Sequence, residues 1–207
     1  RWTKKHSVQS GLKETLKRGN IPLLMRSIYN FIVKPKNGRS TSSVKIDNNE
    51  LLLNTELQNH NYVSRHGIIL ATPMLSETSI KEGDEVILHH NVFRRFYDVR
   101  GNEKNSKSYL EEDKYFAQPD QIYAYKSNGK WKSEKGFCFI KPIKEDKMFS
   151  TDFEKPGLGI VKYTDGSIDK GTLVSFKVGM EYEFFIEKQR LYRVPTNQIK
   201  IKYEYQG

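Results

Sequence analysis

Cysteine is almost missing from this chain. Cys138 is alone among 207 residues, so no disulfide can form within the chain and no cysteine-based zinc cluster can be assembled. Long apolar runs are scarce too: none exceeds four residues, as in residues 68–71 (IILA), whereas a helix needs roughly 20 to cross a bilayer. No basic, apolar, small-residue segment of secretory type stands near the start. These absences lead us to expect a soluble protein with no membrane partner, at work in a reducing compartment inside a cell or in something assembled there. The chain opens on Arg1, which we read as a trimmed or processed start.

Catalytic signatures are missing as well. No GxGxxG follows a strand, and neither a P-loop nor a nucleophile elbow is present. His89-His90-Asn91, just ahead of Arg94 and Arg95, invites comparison with nucleases whose histidines hold a divalent metal. Adjacent residues on a strand point to opposite faces, however, and His6, His60 and His66 offer no ligand spacing. The expectation is no enzyme, no catalytic residue, no metal site and no cofactor.

What is present is apolar substance and positive charge. At 36% apolar and 12% aromatic the chain can bury real cores. The net charge of +10 gathers in two places. One is the N-terminal segment, with Lys4, Lys5, Lys13, Lys17 and Arg18. The other surrounds Arg94, Arg95 and Arg100, in a stretch interleaved with Phe96, Tyr97 and Tyr109. Such residues are a solvated face, a protein interface or, less expected, a nucleic-acid surface.

Val8, Leu12 and Leu16 recur at helical spacing until Gly19, Asn20 and Pro22, which predicts a short basic helix within residues 1–26. Beyond it the pattern is β-branched and aromatic runs between Gly, Pro, Asn and Asp, the mark of an all-β barrel or sandwich. These runs repeat. FIVKP (31–35) matches CFIKP (138–142), GIILA (67–71) matches GLGIVKY (157–163), KEGDEVIL (81–88) matches KVGMEYEF (177–184), and PDQIYAY (119–125) matches PTNQIKI (195–201). The expected organisation is a helical extension over residues 1–26, one unit over 27–126, a hydrophilic linker over 127–135, and a second unit over 136–207.

In this order the motifs resemble the GroES-like co-chaperonin family: a strand ending near proline, a polar loop with a hydrophobic tripeptide (Leu51, Leu52, Leu53), a glycine strand, Glu82-Gly83-Asp84-Glu85-Val86, and a closing Asp120-Gln121-Ile122-Tyr123-Ala124. The resemblance implies two tandem GroES-like Greek-key β-barrels, and a homo-oligomer that docks on a chaperonin ring and caps a folding chamber in the cytoplasm of a bacterial host. It places the partner contacts at Leu51, Leu52 and Leu53, with Met148 and Phe149 in the weaker second loop. The sequence departs from the family where Asn48-Asn49-Glu50 stands in place of a glycine pair. The divergent, lysine- and asparagine-rich chain looks like a bacteriophage member. The alternative expectation is therefore a virion structural or capsid-decorating protein whose partners are phage capsid subunits.

Overall fold

Short runs of β-branched and aromatic residues, broken every few positions by turn formers, leave little but antiparallel strands to form. The structure, a computed structural model, describes residues 26–39, 43–46, 49–52, 63–144 and 154–204. The first half contains β1 (Phe31–Pro35), β2 (Ser43–Ile46), β3 (Asn49–Leu52), β4 (His66–Ala71), β5 (Glu85–Leu88), β6 (Arg95–Tyr97), β7 (Glu103–Asn105), β8 (Tyr109–Glu111), β9 (Lys114–Ala117), β10 (Ile122–Ser127) and β11 (Lys130–Ser133). The second contains β12 (Phe137–Lys144), β13 (Glu154–Tyr163), β14 (Leu173–Phe176), β15 (Tyr182–Ile186), β16 (Gln189–Pro195) and β17 (Ile199–Tyr203). The helix expected within residues 1–26 falls, but for Arg26, outside the described residues. Among the described residues no helix is long and apolar enough to cross a membrane.

Seven strands form one sheet in the order β11-β10-β5-β4-β1-β9-β8, and six form another in the order β15-β16-β12-β13-β14-β17. With β11 set aside, the two orders are one pattern: β1, β4, β5, β8, β9 and β10 occupy the places of β12 to β17 in turn. The registers repeat in detail. Val33 opposes Ile69 just past an irregularity at Ile32/Val33, and Ile140 opposes Val161 just past one at Phe139/Ile140. A left-handed glycine precedes the third strand of each unit. Gly83 (φ 88°) donates to Ile69 O at 2.9 Å, and Gly171 (φ 91°) to Val161 O at 2.8 Å. The counterpart of Gly83 is therefore Gly171, and the match of residues 81–88 to 177–184 is corrected to residues 169–176. A Lys-x-Gly run occurs in the wrong place by local composition, and only the ladder distinguishes the two.

Two further expectations change. Neither sheet closes into a barrel, since no ladder among the described residues joins β11 to β8 or β15 to β17. In the first sheet the free edge of β10 is taken by β11, which removes the hydrogen-bonding groups that closure needs. The architecture is all-β with two open sheets. Residues 127–135, expected as a linker, instead turn through Asn128 and Gly129, both at positive φ (51° and 75°), the conformation that joins a two-residue hairpin. They continue as β11, whose Trp131 is buried.

Each sheet builds a core from equivalent places. Phe31, Val33, Ile69, Val86, Leu88 and Ala117 cluster in the first; Cys138, Ile140, Val161, Val174, Phe176 and Val194 cluster in the second. Burial pushes the Cys138 thiol up, so it is an unreactive core residue. A third cluster joins the halves, with Ile87, Tyr123, Ala124 and Trp131 from the first and Phe139, Phe184, Ile186 and Leu191 from the second. The halves thus share apolar burial along a seam.

Candidate functional site

β2 and β3 pair only with each other among the described strands, with Ser43 opposite Leu52 and Val44 opposite Leu51. The hairpin they form leaves the chain between β1 and β4, which are neighbours in the large sheet, yet among the described residues it joins no ladder of that sheet. Leu51 and Leu52 accordingly belong to a separate arm. Leu53, Met148, Phe149, Lys4, Lys5, Lys13, Lys17 and Arg18 lie outside the described residues.

Beside the start of the described chain, Ser27 bridges Pro73, and Met74 N–H and Leu75 N–H donate to Ser27 O and Ile28 O at 3.0 Å each. Ser27 Oγ also accepts from Asn30 N–H at 3.1 Å. These bonds pin two loops together and turn four large apolar side chains outward: Ile28, Tyr29, Met74 and Leu75 are 54%, 64%, 58% and 67% exposed. Single exposed apolar residues are ordinary, whereas four on two bonded segments form a patch of the kind that meets a partner.

The three described arginines of the expected basic interface do different things. Arg95 Nη1 donates to Glu103 Oε1 at 3.1 Å across the β6–β7 hairpin. Arg100 N–H donates to Asp98 Oδ1 at 2.9 Å. Backbone bonds, that of Asn102 first, hold the Asp98 carboxyl below its ordinary range, and Lys104 Nζ lies 3.7 Å from it. The tip of this excursion answers its own positive charge. Arg94 points elsewhere in its role: with Lys107, Phe96 and Phe116 it lines a cleft of about 520 Å³, and its Nε is buried without a hydrogen-bond partner.

The seam carries further cationic chemistry. Arg193 lies 4.1 Å over the Tyr123 ring and 4.9 Å over Phe137. Arg65 lies 4.8 Å over Tyr182 and donates to Glu183 O at 2.9 Å. His66 spans the halves, with Nδ1 at 3.3 Å from Glu85 Oε1 and Nε2 at 3.2 Å from Phe185 O. His89 stacks on His90 at 4.2 Å. Burial, with Arg193 and then Arg65 nearby, holds the His89 imidazole below its ordinary range against the opposing pull of Asp120, and its Nδ1 accepts from Asn91 N–H at 3.0 Å. This is a positioned, neutral ring, and among the described residues no three His, Cys, Asp or Glu are placed to hold a metal ion.

Sequence reading missed the apolar patch, the cleft and the seam arginines. The patch left a readable signal in Ile28-Tyr29 and Met74-Leu75, apolar pairs outside any strand. The cleft left a partial one in the basic and aromatic stretch that holds Arg94 and Phe96, but nothing in the sequence places the distant Asn30 beside them. No protein-family model and no curated protein matches the chain.

Proposed function

We propose that the chain is a co-chaperonin-like docking protein. Its β2–β3 arm presents Leu51, Leu52 and the adjoining Leu53 to an apolar groove on a chaperonin ring, and several copies assemble as a cap over the folding chamber. One observation carries this reading: among the described residues the leucine-bearing strand pairs only with its own hairpin partner and with neither large sheet. The partner class comes from the resemblance in motif order. Burying one leucine contributes roughly 1.5–3 kcal/mol, part of which offsets the ordering of the arm. Weak arms arrayed on a ring bind together through avidity, with no need for a strong single contact.

Sedimentation of the full chain with a purified bacterial chaperonin ring, for wild type and Leu52→Asp, tests the proposal. Loss of about 2 kcal/mol per arm corresponds to about 30-fold weaker binding at each site, with an unchanged melting temperature. Undiminished binding refutes the anchor, and a melting temperature lowered by several degrees reassigns the leucines to a core. The virion reading is favoured by the exposed patch of Ile28, Tyr29, Met74 and Leu75, which suits packing among structural subunits. Mass spectrometry of purified particles that finds the chain in stoichiometric amount moves the assignment there.

A further inference from the structure

The cleft beside Arg94 lies outside the docking arm, and its lining has a consistent chemistry. Two cations, Arg94 and Lys107, stand with two phenyl rings, Phe96 and Phe116, and four carboxamides, Asn30, Asn91, Gln118 and Gln121, while none of the described lining residues is acidic. In a chain where Arg95 answers Glu103, Lys114 answers Glu111 and Arg190 answers Glu154 and Glu183, neither Arg94 nor Lys107 has an ion-pair partner among the described residues. Arg94 also has a buried Nε without a hydrogen-bond partner among the described residues, as Arg39 and Arg193 do. Phe96 stays 39% exposed at the edge of the cleft, on the β6–β7 hairpin that projects from the large sheet as its own ladder.

We infer that this cleft binds a nucleoside phosphate, met as a free nucleotide or as a unit of a single strand. Guanidinium and ammonium groups suit phosphate oxygens, and a phenyl ring stacks on any base. Carboxamides offer paired donors and acceptors to a base edge. The volume of about 520 Å³ falls within the roughly 300–1,000 Å³ usual for small-ligand sites. A site for inorganic phosphate alone would have no use for two phenyl rings and four carboxamides.

The test uses the full chain and two probes: a fluorescein-labelled twelve-residue oligothymidylate followed by anisotropy, and ATP followed by calorimetry. Arg94→Met and Lys107→Met are each expected to weaken probe binding about tenfold and to flatten its salt dependence. Phe96→Leu is expected to weaken it by about five- to tenfold with the salt dependence unchanged. Phe96 is exposed enough that this variant keeps the fold, as an unchanged melting temperature will verify. Lys130→Gln, an equal charge loss at the exposed start of β11 and outside the cleft lining, is expected to bind as wild type. ATP displacing the oligonucleotide completely identifies a mononucleotide site, and displacement that requires longer strands identifies a strand site. The inference is overturned if neither probe binds at millimolar concentration, if Lys130→Gln weakens binding as much as Arg94→Met, if Phe96→Leu is silent, or if polyglutamate competes as well as the oligonucleotide.

Discussion

Replacing Gly159 by alanine is the sharpest test of how the second sheet is held together. Gly159 sits in β13 opposite Pro142 of β12 and Val174 of β14, in the middle of three strands. A Cβ there would touch Ile140 Cγ2 and lie 2.6 Å from Lys141 O. The equivalent Gly67, opposite Pro35 of β1, would place its Cβ 2.9 Å from Leu88 Cδ1, 3.2 Å from Lys34 O and 3.3 Å from Phe93 Cζ. The two positions therefore face the same carbonyl of the neighbouring strand but at different clearance. At Gly67 the tightest neighbour is the end of a leucine, which rotates. At Gly159 one of the intruded atoms is backbone, and moving it strains the β12–β13 ladder. Overpacking costs typically 1–3 kcal/mol and sometimes more, so we expect about 3 kcal/mol or more for Gly159→Ala and about 1–2 kcal/mol for Gly67→Ala. For a chain of this size the corresponding falls in melting temperature are about 6–12 °C and about 2–8 °C. Urea unfolding followed by tryptophan fluorescence measures both. A cost for Gly159→Ala below about 0.5 kcal/mol, or a larger cost at Gly67, refutes the close approach of the strands.

Two other perturbations probe the seam and a half-buried carboxyl. Trp131→Ala removes a buried ring from the shared core and a 3.2 Å bond from its Nε1–H to Glu187 Oε1; about 3–5 kcal/mol should be lost, and calorimetry should show both halves melting together, whereas a shift confined to one of two separate transitions refutes a shared core. Burial pushes the Glu134 carboxyl up, opposed by a backbone bond from Lys135, so its effect on folding is least costly below the unfolded carboxyl range and becomes a penalty as pH rises through the raised folded value. Glu134→Gln should therefore raise the melting temperature at pH 7 and show a shrinking advantage toward pH 4, and a lowered melting temperature at pH 7 contradicts that sign.

Much of the fold is legible in the sequence because the repeat is carried by local chemistry. Proline ends β1 and sits within β12 at matching register positions, Pro35 and Pro142. Isoleucine opens both closing strands after a short 3-10 turn, Pro119–Gln121 in one unit and Thr196–Gln198 in the other. What local chemistry cannot decide is pairing. Asn-Gly at 128 and 129 is equally a linker signal and a hairpin signal, and the alternation Lys130-Trp131-Lys132-Ser133, buried at every second residue, is what marks a strand edge packed on something. Closure into a barrel likewise depends on which strand reaches which edge. The cleft was only partly legible: Arg94 and Phe96 stand in one basic and aromatic stretch, but no window of sequence brings Asn30 beside them.

The repeat also explains why, among the described residues, the units meet through one seam. In the first, Ile87, Tyr123 and Ala124 of β5 and β10, all buried, form the seam together with Trp131 of β11, a strand that has no counterpart in the second unit. The ladders place Ser175 and Ile201 in the second unit where Ile87 and Ala124 stand in the first, and Lys200, one residue before Ile201, takes the place of Tyr123. Of the three with a counterpart, two are polar in the second unit, and Ile201 is left 49% exposed. A head-to-tail contact that repeated on this face would propagate a chain of units without end unless its rotation closed. With a lysine and a serine in the receiving position, burying the face against a third unit would strand polar groups away from water. The seam is therefore suited to one intramolecular use. A larger assembly of this chain would then be built on another surface, and the patch of Ile28, Tyr29, Met74 and Leu75 is one apolar candidate among the described residues.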